Sequence, residues 1–167
     1  MFDNRTRILK LKLRRSHLQT IVTTIAGRAG VSSYDGDGRP AVEAALALGH
    51  VINSLQCGPA RFEQTSHISV DAEANLYLAD TNNHRVRRID PAGIISTVVG
   101  TGEAVPACQQ LPESPRLHGP ADVIKDRDGS LIIADQRNNR IRRLSPSGAM
   151  TTIVGNGLHF PYVPNVA

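Results

Sequence analysis

Tryptophan is absent from the 167 residues, and tyrosine and phenylalanine number only three each. So sparse an aromatic complement argues against the base-stacking platforms on which single-strand nucleic-acid binders rely. Cysteine occurs twice, at Cys57 beside Gly58-Pro59 and at Cys108 after Pro106-Ala107, both loop-like settings. One disulfide is allowed; a disulfide framework and a close metal-ligand pair are not. No apolar run approaches the length of a membrane span. The basic positions 1–15 are followed by neither an apolar core nor a small-residue cleavage pattern, so a chain without a signal peptide, cytoplasmic by default, is expected. A nucleophile elbow, a phosphate-binding glycine loop and a zinc-protease motif are all missing.

Charge is also modest, at a formal +4. Its N-terminal excess lies in Arg5, Arg7, Lys10, Lys12, Arg14 and Arg15, opposed nearby by Asp3. Such a patch suits an anionic partner. A solvated strand edge explains it more simply, since basic side chains discourage edge-to-edge pairing.

What is present is a long recurrence. The run from Ala79 to Gly93 returns 55 positions later as Ala134 to Gly148, Asp80 meeting Asp135. The same offset carries Gly100 onto Gly155 and Gly102 onto Gly157. Units that recur in this way usually cannot bury their apolar surface alone. Ile68 and Val70, then Leu76 and Leu78, alternate as short strands do, with a turn at Asp71–Asn75 between them. Asp80–Asn83 is a second turn, Arg85–Ile89 a third strand, Pro91–Gly93 a third turn and Ile94–Val99 a fourth strand. Asp126–Ser130, Leu131–Ile133, Arg140–Leu144 and Met150–Val154 repeat the series. Four short antiparallel strands per unit fit a propeller blade. Gly129 stands where the earlier turn has Ala74, so Ala74 is expected to be adapted or mildly strained.

A third, broken copy opens the chain. Asp3–Leu11 resembles Asp80–Ile89 with one turn position fewer, and Thr20–Gly27 matches the fourth strand ending at Gly100. Its first two strands are missing, supplied by another chain or belonging to a larger array. The interval from Gly27 to Gly100 exceeds that from Gly100 to Gly155 by 18 residues. Within the surplus, Ala41–Ile52 is apolar and helix-prone, with Pro40 placed where a first helical turn tolerates it.

These units resemble NHL repeats, through Asn75–Ile89 and its partner Leu131–Leu144, through Ile95–Gly102 and Met150–Gly157, and through the glycine-rich Tyr34–Ala41. The resemblance implies an all-β fold: a partial NHL-type β-propeller of antiparallel four-stranded blades with one helical or loop insertion. Residues 1–27 would form an incomplete blade (its last two strands) and 28–61 a connector. Blades would follow at 62–100 and 117–155, with a connector at 101–116 and a tail at 156–167. The family implies closed rings, commonly of about six blades, that mostly bind proteins, RNA or other ligands. A few related propellers are enzymes holding metal ions near the central channel.

Equal spacing couples Asp80 with Arg85 and Asp135 with Arg140, and nearly so Asp3 with Arg7. The expected role is structural, a guanidinium bridging the turn to a carboxylate that also caps backbone N–H groups. Arg87 and Arg142 are candidate anion contacts on recurring strands. His84 is placed for a turn hydrogen bond rather than metal, because its counterpart is Asn139. Asp35-Gly36-Asp37-Gly38 and Asp126-Arg127-Asp128-Gly129 faintly resemble calcium loops without the remaining donors. Ser66, His67 and Asp71 share a short stretch whose alternation opposes triad geometry. The leading expectation is a noncatalytic binding or scaffold module with a protein partner and no cofactor. Two alternatives stand beside it: a fragment of a metal-dependent propeller enzyme (lyase or hydrolase), and RNA binding through basic strand residues. Self-association through open blade edges is a further expectation.

Overall fold

The structure, a computed structural model, describes residues 2–3, 7–13, 20–48, 66–103 and 116–157. Strands β1 (Phe2–Asp3), β2 (Arg7–Leu13) and β3 (Thr20–Ala26) form one antiparallel sheet. Strands β4 (Ile68–Val70), β5 (Leu76–Asp80), β6 (Arg85–Ile89) and β7 (Ile95–Val99) form a second. A third contains β8 (Asp122–Lys125), β9 (Leu131–Asp135), β10 (Arg140–Leu144) and β11 (Met150–Val154). The fold is therefore all-β, with three antiparallel sheets in a repeating arrangement.

Registers repeat along with the sequence. Ala79 faces Val86 across β5 and β6, and Ala134 faces Ile141 across β9 and β10. Each sheet then carries a bulge at the same step, between Ile8 and Leu9, Val86 and Arg87, and Ile141 and Arg142. A bulge adds local twist. Beyond it the outer strand ends at Gly27, Gly100 or Gly155, each with positive φ.

Alternation sends successive side chains to opposite faces. Leu76, Leu78, Ile89 and Ile95 point one way and pack with Ile8, Ala26, Leu46 and Leu48 between the first and second sheets. Tyr77, Val86, Val98 and Val99 point the other way, against Leu117, Val123, Leu131 and Ile133 of the third sheet and its approach. The second sheet thus packs an apolar cluster on each of its faces. Each such side chain, fully buried, is worth roughly 1.5–3 kcal/mol.

Ala41–Ile52 does not form the expected helix over its described part. Ala41–Glu43 makes a single 3-10 turn, and Ala44 is already extended at φ −71, ψ 149. Long-range bonds explain the difference. Ala41 O accepts from Gly27 N–H and Ala44 O from Arg28 N–H, while Ala45 and Ala47 donate to Asp35 and Asp80. The groups an α-helix would pair internally are taken by neighbouring segments. Positions 49–52 lie outside the described residues, as do Cys57 and Cys108.

Candidate functional site

Asp80 ends β5 with φ −86 and ψ 75, and a 3-10 turn over Thr81–Asn83 brings the chain to left-handed His84. The kink aims the carboxylate inward. Its Oδ1 accepts from Ala47 N–H at 2.9 Å, Asn83 Nδ2 lies within 3.0 Å of both oxygens, and Arg87 Nη1 donates to Oδ2 at 3.1 Å. The third sheet repeats the cluster. Asp135 Oδ1 accepts from His118 N–H at 2.7 Å, Oδ2 accepts from Asn138 Nδ2 at 2.7 Å, and Arg142 Nη1 lies 3.6 Å away. Burial pushes both carboxyls above their ordinary range, against the asparagine, backbone and guanidinium donors that favour the charged form.

The expected pairing of Asp80 with Arg85 is therefore corrected to Asp80 with Arg87. Arg85 does sit directly opposite Asp80 in the ladder. Its long side chain overshoots that carboxylate and donates to Asn83 O at 3.1 Å and Thr101 O at 2.6 Å. It also lies 3.5 Å over the centre of the Tyr34 ring. Arg87, one ladder step away on the same face, reaches Asp80 diagonally. Likewise Arg142 is the guanidinium paired with Asp135, while Arg140 Nη2 donates to Asn156 O at 3.3 Å. Asp3 and Arg7 oppose each other across β1 and β2, and the Asp3 side chain falls outside what is described.

Arg87 and Arg142 are also corrected as anion contacts. Their residue exposures are 0% and 1%, so neither meets a phosphate at the surface. Both point into the seam before their own sheet. Arg87 Nη2 there donates to Asp37 Oδ1 at 2.9 Å and Asp35 O at 3.0 Å. Tyr34 donates its hydroxyl to Asp37 Oδ2 at 2.8 Å. Burial raises the Asp37 carboxyl, but Thr97, Tyr34 and Arg87 together hold it below its ordinary value.

The two weak calcium-loop resemblances are resolved by internal partners. Asp35 is bound by Arg28 and the Ala45 N–H, and Asp128 by Ser130 and Arg143. Among the described residues no group of three or more His, Cys, Asp or Glu is placed to hold a metal ion. Ser66 bonds Thr81 at 2.7 Å, His67 lies 3.5 Å from Asp122, and Asp71 bonds Asn75 and Lys125. The three residues do not converge. Burial raises the Asp71 carboxyl, yet the Asn75 and Lys125 donors bring it well below its ordinary value. Lys125 crosses from the third sheet to do so, bonding Glu73 as well.

His84 accepts a hydrogen bond at Nδ1 from Gly119 N–H, 3.0 Å away on the approach to the third sheet. Its ring centre lies 5.3 Å from that of His118. Burial, with Arg137 and Arg85 nearby, lowers His84 to about 4. Burial, His84 and Arg137 do the same to His118. This inter-sheet pair was not legible in the repeat, because neither Asn139 nor Ala47 preserves an imidazole.

No family profile and no curated protein matches the sequence. Solved structures do resemble the fold. An auxiliary nutrient binding protein from Bacteroides ovatus ATCC 8483 superposes with a TM-score of 0.57 at 15% identity, over 90% of this chain and 33% of that one. One from Bacteroides thetaiotaomicron VPI-5482 gives 0.56 at 16% identity, over 84% and 32%. The chain spans about a third of the length of these structures.

Proposed function

We propose that the three sheets are successive NHL-type blades of a β-propeller array and that the chain is a noncatalytic binding or scaffold module with a protein partner. One observation carries this reading: the recurring carboxylates Asp80 and Asp135 and their partners Arg87 and Arg142 are committed to internal, repeated structural bonds. Asp80 and Asp135 each serve a backbone N–H, an asparagine and an arginine from equivalent positions. Chemistry ordinarily breaks the symmetry of a repeat, whereas a scaffold preserves it. A stiff stack then holds the variable turns and connectors as contact surfaces. The shared fold with the nutrient-binding structures supports the architecture alone.

Calorimetry with Zn²⁺, Mn²⁺ and Ca²⁺ tests the competing metal-dependent enzyme. The scaffold reading expects no stoichiometric heat, and a one-to-one site with micromolar affinity would overturn it. A purified partner that reconstitutes a complex of fixed stoichiometry is the positive result expected. RNA binding that survives a rise in salt and responds to changes on one exposed face would displace the protein partner.

A further inference from the structure

His84 and His118 meet in the seam between the second and third sheets, and both are buried. A charged imidazole donates from both of its nitrogens, and neither ring has room for a second donor. His84 Nδ1 accepts from Gly119 N–H, so a proton there would set donor against donor. His118 Nδ1 is buried with no hydrogen-bond partner, so a proton there would find no acceptor.

The surrounding charges oppose protonation as well. Arg85, which opens β6, and Arg137, in the turn after β9, act on His84, and His84 and Arg137 act on His118. Asp135 already serves the His118 N–H, Asn138 and Arg142. Asp80, four residues before His84, is engaged by Ala47, Asn83 and Arg87. Nearby, Arg140 faces Asp135 across the ladder, Arg116 is paired with Glu103, and His67 lies 3.5 Å from Asp122. No described carboxylate is left to receive an imidazolium at His84 or His118.

Two contrasts make the site local. At the opposite end of the same strands, Lys125 Nζ donates to Asp71 and Glu73 at 2.9 Å each. Asp71 is held well below its ordinary range, so this clamp keeps its charges in mild acid. The seam between the first and second sheets has no imidazole among the described residues. There Ala47, whose N–H caps Asp80, stands where His118 caps Asp135.

The geometry points to an acid-operated hinge: charging the two imidazoles parts the turn ends of the second and third sheets, while the Lys125 clamp holds their other ends and the first seam stays shut. Opening there uncovers Val86 and Leu117. This goes beyond the scaffold reading and does not depend on it. The direction follows from linkage. Open, each ring titrates near 6.5; closed, each does so only at about 4. The open form therefore takes up protons as pH falls through 6.5, and closure weakens progressively towards 4.

Amide hydrogen exchange at pH 7 and pH 5, corrected for its intrinsic pH dependence, tests the hinge. The N–H groups of His67 and Gly119 bridge the second seam, to Ala121 O and His84 Nδ1. Those of Gly27 and Arg28 bond Ala41 O and Ala44 O beside the first. Protection at His67 and Gly119 should fall at least about tenfold more than at Gly27 and Arg28. His84→Asn combined with His118→Ala, which installs the first seam's residue, should abolish that difference. If the double variant does not fold, His84→Asn alone should cut the difference at least about threefold. Equal losses at both seams would mean global unfolding and overturn the inference. Unchanged protection at Gly119, or a double variant that still opens selectively in acid, would overturn it too.

Discussion

Arg87 Nη1 stands 3.1 Å from Asp80 Oδ2, and neither side chain has measurable exposure. Removing one partner of a buried pair leaves an uncompensated charge, which is costlier than losing the contact itself. Arg87→Met should therefore lower stability by about 3–5 kcal/mol. Arg85→Met removes bonds to two carbonyls and the Tyr34 stack, and should cost only about 1–2 kcal/mol. Urea unfolding of the two variants decides the order. Equal losses would mean that the repeat's ion pair involves Arg85 after all.

The two central histidines make stability depend on acid. Unfolded, each titrates near 6.5; folded, each does so only near 4. Between those values the unfolded chain binds protons that the folded chain does not. Stability should accordingly fall as pH drops from 6.5 towards 4, with up to ~1.4 kcal/mol lost per pH unit for each histidine. Asp80 and Asp135, raised by burial, act in the opposite sense just above the ordinary carboxylate range. The comparison of wild type with His84→Asn, the residue of the next repeat, isolates the imidazole contribution. A variant as acid-sensitive as the wild type would remove His84 from the account.

Gly100 and Gly155 close the outer strands at φ +102 and +88, and an added Cβ would overlap the carbonyl oxygens of His84 and Asn139. Both strain and clash oppose alanine there. Gly100→Ala or Gly155→Ala should cost more than about 2 kcal/mol. Gly93, with φ +83 and open space around it, bears strain without clash, so its alanine variant should lose only about 1–2 kcal/mol. Thermal melts of the three distinguish backbone approach from backbone conformation.

Ala74 sits at φ 63, where Gly129 serves the corresponding turn. A left-handed alanine is strained, whereas glycine is not, although glycine brings extra entropy to the unfolded chain. Ala74→Gly should stabilise by up to about 1 kcal/mol. A loss on the same melting assay would show that the methyl group contributes packing.

Much of the fold was legible in the residues themselves. Strands β4 and β5 followed from spacing-two alternation, β9 and β10 from the recurrence of the unit, and the turns from Asp71, Asp80, Asp126 and Asp135. The strain at Ala74 followed from comparing two copies of one turn. The site was legible only in composition: Asp80 and an arginine were expected to pair, yet the arginine was the wrong one. Arg85 and Arg87 share a face, and strand alternation alone does not say which of two long side chains reaches a given carboxylate. His118 escaped because its importance lies in facing His84, from which it is separated by an entire connector.

Local rules and internal recurrence dictated which segments are strands and where they turn, since these follow from side-chain period and turn chemistry within a few neighbouring positions. The choice of Arg87 for Asp80, the extended backbone at Ala44 in place of a helix and the burial of two imidazoles between sheets came from tertiary contact. Each depends on donors and acceptors brought together from distant segments, whose competition for one another outweighs what either segment prefers alone.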